Sequence, residues 1–212
     1  MAYLRDPELI YQQSFTAIRK EADLSHIPQD IANIVVRMIH SCGMTDIAQD
    51  IVYTISAASA GKAALMQGAP VLCDSRMVCE GVIRAKLPAE NEVLCWNNCP
   101  ESSVLAKKLE TTRSAAAVDL WRPKLAGAVV AVGNAPTALF RLLEVLEEGV
   151  DPPAVIFGLP VGFVGASESK ELLVKQCKEA VQFLTLNGRR GGSAMAAAAV
   201  NALTFDGGSR FI

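Results

Sequence analysis

The sequence predicts a three-layer α/β/α fold: a doubly wound, mainly parallel sheet of about five or six strands with helices on both faces. Three observations carry this. Short apolar runs without polar alternation recur along the chain, as strands buried on both faces do. Helical stretches separate them, which is what parallel strands need for their crossovers. With 212 residues, 51% of them hydrophobic and 20% charged, there is apolar material for one substantial core. No repeat, low-complexity linker or boundary divides the chain, so residues 1–212 read as a single domain.

Taken in order, Asp6 is placed to cap a first helix, and Pro7 suits its first position. Leu9, Ile10, Phe15 and Ile18 carry its apolar contacts to about Ala22. A second helix runs from about Pro28 to Cys42. Ile31, Ile34, Val35, Met38, Ile39 and Cys42 recur at helical spacing on one face, and Gly43 sits where a left-handed C-cap belongs. Ile51 to Thr54 is a strand, and Ser56 to Met66 a helix with Gly68 near its end. Val71 to Cys73 is a buried strand closed by Asp74, and a short helix follows from about Arg76 to Val82. Glu92 to Trp96 is a strand. Helices span Ser102 to Leu109 and about Ser114 to Leu125. Ala128 to Val132 is the clearest strand. Asn134 and Pro136 open a helix that reaches Glu148 and closes at Gly149. Ala154 to Phe157 is a strand, Ser167 to Cys177 a helix, Gln182 to Leu186 a strand, and Gly192 to Leu203 the last helix.

Composition removes several classes of function. A formal net charge of -2 argues against a dedicated nucleic-acid binder. The polar start Met1-Ala2-Tyr3-Leu4-Arg5-Asp6-Pro7 is no secretory signal, and no apolar run reaches the roughly 20 residues of a membrane helix. The nearest, Ser193 to Phe205, is interrupted by Asn201. Six cysteines with no Cys-x-x-Cys pair read as reduced thiols of a cytoplasmic protein. With only His26 and His40 as histidines, and no ligand pairs at usual spacing, neither a metal site nor a cofactor is expected. Gly158, Gly162 and Gly165 have the wrong spacing for a dinucleotide fingerprint. Gly61-Lys62 lacks the rest of a phosphate loop, and there is no Gly-x-Ser-x-Gly elbow.

The chemistry concentrates at His40. It lies opposite the apolar face of the second helix, in the last turn, with Arg37 on the same side. The carbonyl end of a helix favours a cation, so the position suits an imidazolium acting as general acid, or simply an exposed histidine finishing the helix. Ser14 lies in the middle of the first helix. In a doubly wound sheet, ligands bind beyond the carboxyl ends of the strands. The loops there include Thr111-Thr112-Arg113-Ser114, Gly133-Asn134-Ala135-Pro136-Thr137, Gly158 to Gly165, and Asn187-Gly188-Arg189-Arg190-Gly191-Gly192-Ser193. Arg113 and Arg189 sit beside helix starts, where a cation opposes the macrodipole. An anionic ligand, carboxylate or phosphate, resolves that conflict; the other solution is a side chain that swings into solvent. Arg190 receives no role.

Several stretches together resemble the precorrin-8X methylmutase (precorrin isomerase) family. They are Arg37-Met38-Ile39-His40-Ser41-Cys42-Gly43, Gly68-Ala69-Pro70-Val71-Leu72-Cys73-Asp74 and Thr112-Arg113-Ser114-Ala115-Ala116. Further on come Gly133-Asn134-Ala135-Pro136-Thr137-Ala138-Leu139-Phe140, Pro160-Val161-Gly162-Phe163-Val164-Gly165 and Gly191-Gly192-Ser193-Ala194-Met195. They occur in the family's order over nearly the whole chain. The resemblance implies an isomerase of corrin (cobalamin) biosynthesis, acting without S-adenosylmethionine. Such an enzyme moves a methyl group between adjacent ring-C carbons of a tetrapyrrole. Precorrin-8X then gives hydrogenobyrinic acid, or cobalt-precorrin-8 gives cobyrinate. It also implies His40 as the acid, Ser14 and Arg37 as substrate contacts, and a homodimer with the site near the interface. A substrate with many carboxylates suits Arg37, Arg113 and Arg189. The alternative is a corrinoid carrier on the same fold that binds without turnover.

Overall fold

The computed structural model describes residues 3–177 and 181–204. The C-terminal Gly207 to Ile212, to which the sequence assigns no function, lies outside them. The chain opens with α1 (Pro7–Glu21), started by Asp6, whose carboxylate accepts the amides of Glu8 at 2.9 Å and Leu9 at 3.2 Å. In α2 (Gln29–Cys42), the stripe from Ile31 to Ile39 is buried. The helix stops at Gly43, whose φ of 72° is left-handed and whose N–H donates to the Ile39 carbonyl at 2.7 Å. A 3-10 turn over Thr45–Asp50 leads into β1 (Ile51–Tyr53). The next elements are α3 (Ala57–Met66), β2 (Val71–Cys73), α4 (Arg76–Gly81), β3 (Val93–Leu94), α5 (Pro100–Lys108), α6 (Arg113–Asp119) and α7 (Arg122–Leu125). The chain closes with β4 (Val129–Val132), α8 (Pro136–Glu147), β5 (Val155–Gly158), α9 (Ala166–Cys177), β6 (Phe183–Leu186) and α10 (Ser193–Ala202).

The six strands form one sheet in the order β1-β6-β5-β4-β2-β3. All neighbours are parallel except β1, which runs antiparallel to β6 with Ile51 opposite Leu186. Alternation along the strands divides the interior into two cores. Val71, Cys73, Val129, Ala131, Val155, Phe157, Leu184 and Leu186 face α1, α2, α3, α4 and α10. Leu72, Val130, Val132, Ile156 and Phe183 face α6, α7, α8 and α9. Each fully buried Val, Leu or Ile is worth about 1.5–3 kcal/mol relative to exposure. The register that seats both sets therefore locks the sheet. This is the doubly wound, three-layer arrangement expected. Among the described residues, no helix is long and apolar enough to cross a membrane.

Four details differ from the expectation, each for a local reason. The helix expected over Ser114 to Leu125 is two, α6 and α7. Pro123 has no N–H to give the Asp119 carbonyl and its ring would crowd that group, so the chain restarts with proline in a new first turn. The strand expected over Glu92 to Trp96 pairs only at Val93 and Leu94. The Cys99 N–H reaches back to the Trp96 carbonyl at 3.1 Å and turns the backbone away. α5 starts at Pro100 rather than Ser102, because Cys99 Sγ caps it by accepting the Ser102 N–H at 3.4 Å. The 3-10 turn between α2 and β1 was not anticipated. All six cysteines are free thiols, as expected.

Candidate active site

His40 and Arg37 line a cleft of about 260 Å³ between the end of α2 and one face of α10. Ser41 completes their side. Ala194, Ala197, Ala198 and Asn201 of α10 and Gly81 of α4 form the facing wall. That wall is small by necessity: a Cβ on Gly81 would stand 2.7 Å from the Ala197 Cβ. Asn201 fixes it in place, accepting the Ile83 N–H at 2.8 Å and donating to the Gly81 carbonyl at 2.9 Å.

α1 supplies the ring's surroundings. Ser14 Oγ is 2.9 Å from His40 Nδ1. Phe15 stacks on the imidazole at 5.0 Å between centroids and 23° between planes, and Tyr11 lies at 5.4 Å. Nε2 has no hydrogen-bond partner among the described residues. Three of the expected residues, Ser14, Arg37 and His40, therefore come together from two helices. A serine hydroxyl both donates and accepts, so Ser14 serves neutral imidazole and imidazolium alike.

The charge state runs against the sequence expectation. The helix end was expected to favour imidazolium. Instead, partial desolvation of the ring, which keeps one side open to solvent, and second the charge of Arg37 hold His40 below its ordinary value. Burial likewise pulls Arg37 down. The last carbonyls of the helix are already engaged. Met38 O accepts Ser41 Oγ at 2.7 Å, and Ile39 O accepts the Gly43 N–H and, at 3.6 Å, the Cys42 thiol. An anion brought between Arg37 and His40 would reverse the balance.

Beyond the strand ends, the organising residue is Asp74, which does more than end its strand. It is fully buried, and its carboxylate accepts the amides of Gly133 at 2.9 Å, Asn134 at 2.9 Å and Ala135 at 2.7 Å. It thereby shapes the whole β4–α8 turn. Ser75 next to it caps α4 and meets Ser193 Oγ at the start of α10, at 3.2 Å. Cys79 is also more than packing, since Arg84 Nη2 lies 3.2 Å from its sulfur.

The arginines divide. Arg113 is the first residue of α6 and is exposed. Its neighbour Thr112 caps the helix and meets Thr137 in the first turn of α8 at 2.8 Å. Arg189 is exposed on the β6–α10 loop, its guanidinium 5.4 Å from the centre of the Phe163 ring. Neither lines the His40 cleft. Arg190, with no role from sequence, ties its loop to the turn before β1 through Asp46 at 2.6 Å and Asp50 at 2.5 Å. From α9, Lys170 is 1% exposed and donates to the Arg190 carbonyl at 2.6 Å.

Fold and site together define a doubly wound α/β protein whose candidate site presents a histidine and an arginine in place of a nucleotide-binding loop. The model of the precorrin-8X methylmutase family matches residues 9–205. A precorrin-8X methylmutase of Pseudomonas aeruginosa is 55% identical over 95% of this chain and 96% of its own. One of a Sinorhizobium species is 51% identical over 97% of each. The crystal structure of precorrin-8X methylmutase from Thermus thermophilus superposes with a TM-score of 0.84 at 34% identity, covering 93% of this chain and 94% of that one. The chain belongs to the precorrin-8X methylmutase family, an isomerase of cobalamin biosynthesis that transfers a methyl group intramolecularly.

Proposed function

We propose that this enzyme converts precorrin-8X to hydrogenobyrinic acid, moving a methyl group between adjacent ring-C carbons with His40 as proton donor. The observation that carries the reading is the pairing of His40 with Arg37 in one cleft, in a chain whose relatives at 55% and 51% identity are both named for precorrin-8X. The migration is a sigmatropic shift: one carbon–methyl bond breaks as its neighbour forms, and no external methyl donor takes part. A proton on the conjugated ring makes it electron-poor and lowers the barrier, which is the work of a general acid.

Arg37 and His40 repel each other's charge until a carboxylate of the substrate lies between them. Binding then raises the imidazole's proton affinity, so the acid is charged when substrate is present. Ser14 turns the ring through Nδ1 and leaves Nε2 for the substrate. Arg113 and Arg189 take peripheral carboxylates further out along the strand ends. In this reading the enzyme works in the cytoplasm as a homodimer, with the site near the subunit interface.

The test mixes purified protein with metal-free precorrin-8X and follows the visible spectrum, with His40→Ala alongside. Conversion to the hydrogenobyrinic acid spectrum by wild type alone supports both substrate and acid. Undiminished conversion by His40→Ala removes the acid. No conversion of the metal-free substrate, with conversion of the cobalt form, moves the enzyme to the cobalt route.

A further inference from the structure

We propose that Phe163 and Val164, at the tip of the β5–α9 loop, form a platform for the apolar face of the tetrapyrrole. Arg189, held over the Phe163 ring, receives a carboxylate at the plate's edge. The inference rests on the substrate reading above.

Phe163 at 85% and Val164 at 88% exposure are the most exposed large apolar side chains among the described residues. The exposure is built into the loop. Gly162 donates its N–H to the Arg189 carbonyl at 3.2 Å, and Gly192 donates to the Leu159 carbonyl at 2.9 Å. Gly191 leaves no space between the two loops, and the buried Lys170 ammonium holds the Arg190 carbonyl from below. At the far end, Gly165 closes against Phe140 and Pro136. The tip is thus an apolar surface on a fixed base, which costs solvation unless something covers it.

Position and charge indicate what covers it. The tip stands beyond the carboxyl end of β5, where doubly wound sheets bind ligands. Its base touches Gly191 and Gly192, and two residues on Ala194 lines the His40 cleft. The base of the platform and the wall of the cleft are therefore joined through the start of α10. Arg189 has no ion-pair partner among the described residues, whereas Arg190 beside it has two. A second copy of the chain laid on this tip would bury that unpaired cation at a cost. A broad apolar plate edged with carboxylates covers the ring and pairs the guanidinium at once.

The experiment is a titration of each protein with hydrogenobyrinic acid, read by absorbance, with sedimentation velocity at the same concentrations. Phe163→Ala should weaken binding at least tenfold, and Arg189→Ala at least fivefold. The double variant should lose less than the product of the two, because the side chains act through one contact. Phe163→Trp should keep most of the affinity. In turnover, KM should rise while kcat changes less. Affinity within twofold of wild type for Phe163→Ala overturns the proposal. So does a loss that appears only together with a shift to a smaller species, which would make the tip a contact between copies. Wild type that binds no hydrogenobyrinic acid refutes the substrate reading itself, and the platform with it.

Discussion

Ser14 Oγ lies 2.9 Å from His40 Nδ1, across the contact between α1 and α2. On the function proposed above, this bond leaves Nε2 to the substrate and gives Ser14 the part of a positioning residue. Ser14→Ala should lower kcat by about 10- to 100-fold, the worth of one hydrogen bond to a charged group, with a smaller change in KM. His40→Ala should lose about 10²- to 10⁴-fold, the usual contribution of a general acid. Ser14→Thr, which keeps the hydroxyl, should recover part of the loss. A Ser14→Ala enzyme with normal kcat and a raised KM would instead make the serine a plain substrate contact.

Proton uptake on binding follows from the same cleft. In the free protein, partial burial and the charge of Arg37 disfavour the imidazolium form of His40. A bound carboxylate raises its proton affinity, and binding then draws a proton from solution. Calorimetry of hydrogenobyrinic acid binding in buffers of different ionisation enthalpy should show net uptake for wild type and less for His40→Ala. Equal proton numbers for the two proteins would mean that the histidine is not the group that charges. The depressed value also bears on stability. His40 contributes fully above the unfolded value of 6.5, and the contribution is lost as pH falls through the lower folded value.

Asp74 should be the most sensitive polar residue for folding. Its removal strands three amides of the β4–α8 turn. Asp74→Ala should cost about 3–5 kcal/mol in denaturant unfolding. Asp74→Asn should fare little better, since its amide nitrogen would face backbone donors. A cost under about 1 kcal/mol for the asparagine variant would show that the turn holds its own shape.

Much of this was legible in sequence because it is local. Buried strands are continuous apolar runs, and caps such as Asp6 and Gly43 act within four residues, so nearly every element appeared in place. The His40, Arg37 and Ser14 group followed from helix position and family resemblance. The failures are nonlocal. Asp74 finds its donors about 60 positions away, and an acidic residue after a strand otherwise looks like a stop signal. Arg189 and Arg190 are neighbours in one loop, yet one faces a ring and the other two carboxylates. Only the loop's backbone path separates them. The lowered His40 comes first from desolvation of the ring beneath α1, which a helix-dipole argument does not see.

Lys170 should leave a signature in alkaline stability. Desolvation lowers its ammonium from 10.5 to about 8 in the folded protein. Between those values the unfolded chain binds more protons, so stability rises with pH. The contribution is full above 10.5 and lost as pH falls through about 8. Lys170→Met lacks the titration. The stability of wild type relative to Lys170→Met should therefore increase by about 1–2 kcal/mol between pH 7.5 and 9.5. A constant difference would mean that the amine keeps its proton throughout.

Gly191 and Gly188 share a loop but are glycine for different reasons, and their alanine variants should part accordingly. Gly188 has a φ of 77° and open space around it, so Gly188→Ala pays only the left-handed penalty of about 1–2 kcal/mol. At Gly191 a Cβ would stand 2.4 Å from the Leu159 carbonyl oxygen and 2.5 Å from that of Pro160. These are backbone atoms that no side-chain rotation can move. Gly191→Ala must push the β5 and β6 loops apart, at about 3 kcal/mol or more. It should also shift Arg189 and Ala194 on either side and weaken hydrogenobyrinic acid binding, while Gly188→Ala leaves binding nearly intact. Thermal unfolding and the absorbance titration read both effects. Equal destabilisation by the two substitutions would show that the loops can separate freely, and the fixed base ascribed to the Phe163 platform would then be lost.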